Sequence, residues 1–396
     1  MKKILFVYDR MMTGGTTTAL LSLLSEFDYD KYSVDLQLFD FEGEFFDKIP
    51  EMVNVLPKVA KREKKYIKIQ KLIMLILSGA IWKVLWLYYK YRNTHKGNLR
   101  LILMHYGALM QVGLSGKVKE EYDAAISFIE GWSGHYVLSN KIKAKKKVVW
   151  FHPDYEASYL IPEIDKKSLS RADAIITVSK HCQENMINVF PEYKEKIKVI
   201  ENITSYKFIN ERAAEHIDAF LRGMINVCTV ARCDIQVKGL DRIIDALKRL
   251  KKENLLDGVV WHYIGAGPQL EELAKLVKEN NLEDNVVLYG QKNNPLPYLK
   301  QMDAFILASR YEGKPVSVEE ALALEKPCIV TEYASAREQI EDEKNGIVVK
   351  NSSEGVYEGL KKYIGSESIR RSLEEGAKNI KYNENAAEVI KLYQLI

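Results

Sequence analysis

The chain has 396 residues, 47% hydrophobic and 28% charged, which suits two ordinary domains with separate cores and excludes a collagen-like or disordered composition. Its formal net charge of +4 is small for this length, which argues against a strongly basic nucleic-acid binder. Four cysteines, at 182, 228, 233 and 328, form no CxxC pair, so neither a disulfide scaffold nor a zinc knuckle is expected and a reducing compartment is.

Met1-Lys2-Lys3 is followed by five apolar residues, Ile4 to Tyr8, too few for the apolar core of a secretory signal. They predict a short buried strand over 3–8. The chain then runs through Asp9-Arg10-Met11-Met12-Thr13-Gly14-Gly15 and three threonines from Thr16. Helical spacing follows, with Ala19, Leu20, Leu23, Leu24 and Phe27 on one side. A continuous apolar strand, a Gly-rich turn and an amphipathic helix open a βα unit of a parallel sheet. Further strands are expected at 33–39, 124–128, 147–151, 174–178 and 198–200, mostly separated by helices. A second series begins at Ile225, with strands at 225–230, 259–264, 286–288, 304–307, 327–330 and 346–349. The prediction is an α/β chain of two Rossmann-like, doubly wound domains facing one another across a cleft, with ligands at the carboxyl ends of the strands. The expected division is a first domain over 1–205, a connection over 206–222, a second domain over 223–380 and a tail over 381–396 that ends in an amphipathic helix.

One segment of the first domain, 58–92, is unlike the rest. Residues 58–71 hold seven basic residues and a single acid, Glu63, and 72–89 are apolar except for Ser78, Gly79 and Lys83. Eighteen residues would barely reach across a hydrocarbon core of ~30 Å as a helix. Lys83 lies inside the run, and Trp82, Trp86, Tyr88 and Tyr89 crowd one end. That mixture suits a helix lying in the headgroup region of an anionic membrane surface better than a span. The other reading is a buried helix pair of the first domain.

The chemistry-bearing residues fall in loops after strands. Ser309-Arg310-Tyr311-Glu312-Gly313-Lys314-Pro315 leaves one strand, and a helix opens at Val316 with Glu320 on its first turns. Two carboxylates aimed into one place can accept hydrogen bonds from the hydroxyls of a sugar and a ribose. Arg232 and Lys238 follow the first strand of the second domain, Gly265-Ala266-Gly267-Pro268 follows its second, and His152 and Glu130-Gly131 end strands of the first domain.

With Glu312-Gly313 and Glu320-Ala321 as an E-x7-E motif, the sequence resembles glycosyltransferase family 4, retaining nucleotide-sugar enzymes of GT-B fold, in the form found in bacterial surface-polysaccharide biosynthesis. The likeness extends to Gly14-Gly15, Trp150-Phe151-His152, Val178-Ser179, Arg232, Lys238-Gly239 and the Gly265/Gly267 turn. It implies that Arg232 and Lys238 bind the diphosphate, that Glu320 takes the ribose hydroxyls, and that Glu312 and His152 face the donor sugar. Gly14, Gly15, Thr16, Gly265, Gly267, Gly313, Lys314, Pro315 and Val316 would complete the donor site, and Glu130 is the candidate for acceptor contact. A guanidinium and an ammonium stabilise a departing diphosphate without a metal, so no metal and no cofactor are expected. The expected partners are a nucleoside-diphosphate sugar, favoured as UDP-linked, and a glycan or lipid-linked glycan acceptor. The expected place is cytoplasmic, on the inner face of the cell membrane. Three departures from the family pattern stand out: Ala231 and Glu325 where glycine is usual, and Lys314 where an aromatic is frequent.

Asp28-Tyr29-Asp30 is a D-x-D of the metal-binding kind, but its place between a helix and the second strand makes a turn the better reading. The turn at Gly14-Gly15 matches neither GxGxxG nor GxxxxGK[ST], which disfavours a dinucleotide oxidoreductase and a P-loop ATPase. The alternatives left open are a non-catalytic partner subunit of another transferase and a sugar-nucleotide epimerase of the same fold.

Overall fold

The computed structural model describes residues 1–58, 80–218, 223–379 and 386–396. Of the segment 58–92, residues 59–79 lie outside the described residues, as do 219–222 of the expected connection and 380–385 before the C-terminal helix. The chain divides into two compact units, Met1–Glu201 with Ala387–Ile396, and Asn202–Ala386.

In the first unit, β1 (Lys2–Tyr8), β2 (Tyr32–Leu38), β3 (Val53–Val55), β4 (Glu121–Ser127), β5 (Lys143–Phe151), β6 (Ala174–Thr177) and β7 (Ile197–Val199) form one sheet in the order β3-β2-β1-β4-β5-β6-β7. All its pairings are parallel. The central β1 is apolar throughout Ile4 to Tyr8 and fully buried, as a strand covered on both faces must be. β3 is three residues long, too short to carry an alternating pattern, and the sequence does not announce it.

The second unit holds β8 (Ile225–Val230), β9 (Val259–Ile264), β10 (Val286–Leu288), β11 (Ala304–Leu307), β12 (Cys328–Thr331) and β13 (Gly346–Val349), in the order β10-β9-β8-β11-β12-β13. This repeats the first six places of the other sheet. Both orders reverse once, between β1 and β4 and between β8 and β11, as in a doubly wound Rossmann sheet.

Two hydrophobic clusters cover the faces of the second sheet. Helix Leu240–Lys252 packs one with Leu240, Ile243, Leu247 and Leu250, and its cationic last turn complements the helix dipole. Helix Val316–Ala323 belongs to the other cluster through Val318 and Ala321. Part of 206–222, expected as a connection, is helix Tyr206–Ala213. Ser205 caps it by accepting from the Phe208 N–H, and its Ile209 and Ala213 are buried in that second cluster. The polar sequence there is its outer face.

Helix Ala386–Leu395 packs on the first unit. Tyr393 stacks on Tyr32 at 4.6 Å, meets Phe27 edge-on at 5.2 Å, and its hydroxyl accepts from the Asp28 N–H, while Leu392 is fully buried. Half-burial of a large ring in an aromatic cluster leads us to expect Tyr393→Ala to cost about 2 kcal/mol. Urea unfolding followed by circular dichroism should show the loss as a lower midpoint at unchanged slope.

Candidate active site

In an open parallel sheet the loops beside the order reversal leave the strands towards opposite faces, and the crevice between them is the natural ligand site. In the second unit those loops follow β8 and β11. They carry Arg232 and Lys238 on one side and Glu312 on the other.

The structure brings Lys238 and Glu312 together. Lys238 Nζ lies 2.6 Å from Glu312 Oε1, and Ser309 Oγ donates to the same oxygen at 2.6 Å. The backbone sets this geometry. Asp234 caps the short helix Ile235–Lys238 by accepting from the Val237 N–H. Gly239 then turns the chain at φ +64°, where a Cβ would sit 1.9 Å from the Ala308 carbonyl oxygen. Only glycine permits that contact, which lays Lys238 against the strand end of β11. Arg310 fastens the two loops from outside, with a forked pair of bonds to Asp241 (2.9 and 2.7 Å) and its own N–H donated to the Val237 carbonyl. Arg242, buried on the facing helix, donates to the Ala308 carbonyl and to Asn351. Sequence reasoning missed Arg242, Arg310, Asp241 and Asn351. The one available signal was a charged residue, Arg242, beside the apolar stripe of its helix.

Arg232 stands at the mouth of the same loop, with two thirds of its side chain exposed and a 3.4 Å contact to Asp234. The Gly265/Gly267 turn packs directly on this loop. A Cβ on Gly265 would meet the Ala231 carbonyl oxygen at 1.9 Å, and one on Gly267 would meet Cys233 backbone at 2.4 Å. Both glycines are therefore explained by close approach of two backbones that frame Arg232.

The loop from Glu312 into helix Val316–Ala323 presents Gly313, Pro315 and Val316 in sequence, with Pro315 at the cap position. Lys314 does not reach outward. Its side chain is 4% exposed and its ammonium is 3.8 Å from Glu319 Oε1. Gln339 donates to that same oxygen (2.7 Å) and to the Pro315 carbonyl (3.1 Å), and Asn202 donates to the Lys314 carbonyl. A buried ion pair here underpins the loop, where the expectation had Lys314 lining a sugar pocket. Glu320 is buried on the same helix, close enough to Arg212 to favour the guanidinium's charge against its burial. Arg212 comes from the helix that the sequence hides as a connection. Glu325 has φ +61° just past the helix end, which is why glycine is the easier residue at that position.

In the first unit, the loops after β1, β4 and β5 carry the other candidates. Gly14 caps helix Gly15–Ser25 with extended backbone, and a Cβ there would meet nothing within 4 Å, so the protein's own packing does not demand the glycine. Thr16, half-buried, is in the first turn. Glu130 and His152 come together: the His152 N–H points to Glu130 Oε2 at 3.4 Å, and His152 Nε2 donates to the Phe128 carbonyl at 2.8 Å, which leaves Nδ1 as the unprotonated nitrogen of the neutral ring. Burial pushes the Glu130 carboxyl above the ordinary carboxylate range, and the Asp9 carboxyl as well. Among the described residues, no three His, Cys, Asp or Glu side chains gather where they could hold a metal ion.

The family model for group 1 glycosyl transferases matches residues 220–380. This region is similar to the group 1 glycosyl transferases. One relative is the N-acetylgalactosamine-N,N'-diacetylbacillosaminyl-diphospho-undecaprenol 4-alpha-N-acetylgalactosaminyltransferase of Campylobacter jejuni, 31% identical over 213 residues, 52% of this chain and 55% of that enzyme. The poly(ribitol-phosphate) alpha-N-acetylglucosaminyltransferase of Staphylococcus aureus is 29% identical over 118 residues, 30% of this chain and 24% of its own length. The chain thus matches about half or less of these two relatives. Two solved structures align over the whole chain and 99% of theirs: S. aureus TarM with fondaparinux, alpha-GlcNAc-glycerol and UDP (TM-score 0.68, 16% identity) and Anabaena HepE with UDP and glucose (0.69, 15%). They establish the fold, two parallel-sheet Rossmann-like domains of the GT-B class.

Two outcomes follow, one for each unit. Removing one member of a buried ion pair strands the other, whereas removing both does not. Lys314→Met should therefore cost about 3–5 kcal/mol and Lys314→Met/Glu319→Leu much less, as read from paired thermal melts. For Glu130, a raised carboxyl pKa in the folded chain means that ionisation opposes folding above the ordinary carboxylate range. Glu130→Gln, which keeps the acceptor for the His152 N–H, should raise the melting temperature by roughly 2–4 °C at neutral pH. The gain should shrink as pH falls through the folded pKa and vanish below the unfolded one, in a melt series from pH 3.5 to 8.

Proposed function

We propose that this chain is a retaining glycosyltransferase that moves a sugar from a UDP-sugar to a hydroxyl of a lipid-linked glycan, without a metal ion. The observation that carries the proposal is the meeting of Lys238 and Glu312 at the order reversal of a group 1 glycosyl transferase domain, with Arg232 beside them. An ammonium and a guanidinium at that place are suited to a diphosphate leaving group. The bond from the anomeric carbon to the diphosphate breaks, the acceptor oxygen bonds to that carbon on the same face, and the departing phosphate oxygen takes the acceptor's proton. Lys238 and Arg232 hold the charge that develops on the phosphate. Glu312, anchored by Ser309, is suited to a sugar hydroxyl, and Glu320 to the ribose.

UDP in both solved neighbours supports the choice of nucleotide. The diphospho-undecaprenol in the name of the Campylobacter relative supports a lipid-carried acceptor, which would place the reaction at the cytoplasmic face of the cell membrane. Glu130 and His152 are the acceptor-side candidates. UDP release from a panel of UDP-sugars tests the assignment: Lys238→Ala should lower turnover by about 10²–10³-fold while the protein stays folded. Turnover equal to wild type would remove Lys238 from the mechanism.

A further inference from the structure

Helix Ala80–Tyr91 is built inside out for a surface helix. Its buried stripe, Ala80, Val84 and Leu87, packs with Ile102, Ile161 and Ile164, as an amphipathic helix should. The opposite side should then be polar, yet Ile81, Trp82, Leu85, Trp86, Tyr88 and Tyr89 all point outward. Trp82 is 74% exposed, Trp86 54% and Tyr89 65%. Met104, on the neighbouring helix Leu99–Leu114, is 61% exposed as well. Contiguous apolar surface of this kind marks an interaction site.

The charge around it selects the partner. Residues 80–119 contain seven Lys and Arg and no Asp or Glu. Lys83, Arg92 and Arg100 are exposed at the flanks of the aromatic face, and the Arg92 guanidinium lies 4.0 Å from the Tyr89 ring centre. Glu163, on helix Pro162–Leu169, answers Lys90, so that cation is already paired. Outward aromatics with flanking cations, and with the one adjoining carboxylate, Glu163, taken up by Lys90 and Tyr91, fit the interface of an anionic bilayer, where rings lie at headgroup depth and cations meet phosphates. No described helix is long and apolar enough to cross a membrane.

The face is also rigidly mounted. Lys96, buried in the turn between the two helices, donates to the carbonyls of Tyr155 and Leu160, and Tyr91 donates to Glu163. An ammonium that caps two carbonyls in the interior fixes the helix pair to the body of the unit.

We infer that the outward face of helix Ala80–Tyr91 is a docking surface for anionic phospholipid, seated through Trp82, Trp86 and Tyr89. The inference deepens the reading of a lipid-carried acceptor, but its test measures no turnover. Flotation of the full chain with phosphatidylcholine vesicles, with and without phosphatidylglycerol, is compared for wild type and Trp82→Ser/Trp86→Ser/Tyr89→Ser. Wild type should float with the anionic vesicles with a blue shift of tryptophan emission, and the triple variant should bind about tenfold or more weakly at an unchanged melting temperature. Because all three side chains are exposed, the variant should fold, and its UDP release from a soluble donor should match wild type. Wild type that fails to float, or a variant that floats equally, overturns the docking surface while leaving the transferase reading intact. A wild-type dimer in sedimentation that the triple variant dissociates, with no flotation, would assign the face to a second copy of the chain instead. Flotation with no UDP release from any donor would do the reverse, upholding the surface and removing the activity.

Discussion

Everything at the candidate site depends on one constraint, the reversal of strand order between β8 and β11. The two strands are neighbours, but helix Leu240–Lys252 after one and helix Val316–Ala323 after the other sit in different hydrophobic clusters. The chain must therefore diverge at that edge, and what spans the divergence is polar: Lys238 to Glu312, and Arg310 to Asp241. Charged groups drawn together by topology are poised for an anionic ligand that can take up the same ammonium. The glycines at 239 and 265 follow from this arrangement, since each lets one loop backbone press against another.

The same constraint explains the boundary between the units. A sheet covered on both faces needs a full complement of helices, and the cluster beneath Val318 and Ala321 is completed by helix Tyr206–Ala213. Its apolar stripe is short, Tyr206, Ile209 and Ala213, and is interrupted by Lys207, Asn210, Glu211 and Arg212, so in sequence it passes for a connection. Tertiary contacts supply what propensity does not. Arg212, on that helix, joins the neighbourhood of Glu320 for the same reason.

Two departures from ordinary patterning sit in different units and have different meanings. Lys314 and Glu319 place opposite charges in an interior where apolar residues would pack, and each offsets the other's charge while Gln339 also donates to Glu319. Helix Ala80–Tyr91 makes the opposite exchange, placing aromatic rings in solvent on a mount fixed by buried polar bonds. The first is a device of positioning, the second of association, and neither is recoverable from a hydrophobicity average.

The succession of apolar strands and amphipathic helices determined the fold class, because a parallel strand covered on both faces must be continuously apolar and its crossover must be a helix. Strands β8 to β11 and β13 begin and end where the residue pattern places them. The positions of Arg232, Lys238 and Glu312 were likewise legible, as charged groups in the connections that follow such strands, and that of Glu320 on the helix that opens after one of them. What the tertiary structure alone decided is which of these groups meet. Lys238 and Glu312 are 74 residues apart and touch, while Lys314, two residues from Glu312, turns inward to Glu319. Spacing along the chain determines the face and end of an element on which a side chain stands. Its partner depends on how strands order across the sheet and how closely two loop backbones can approach, and that is a property of packing.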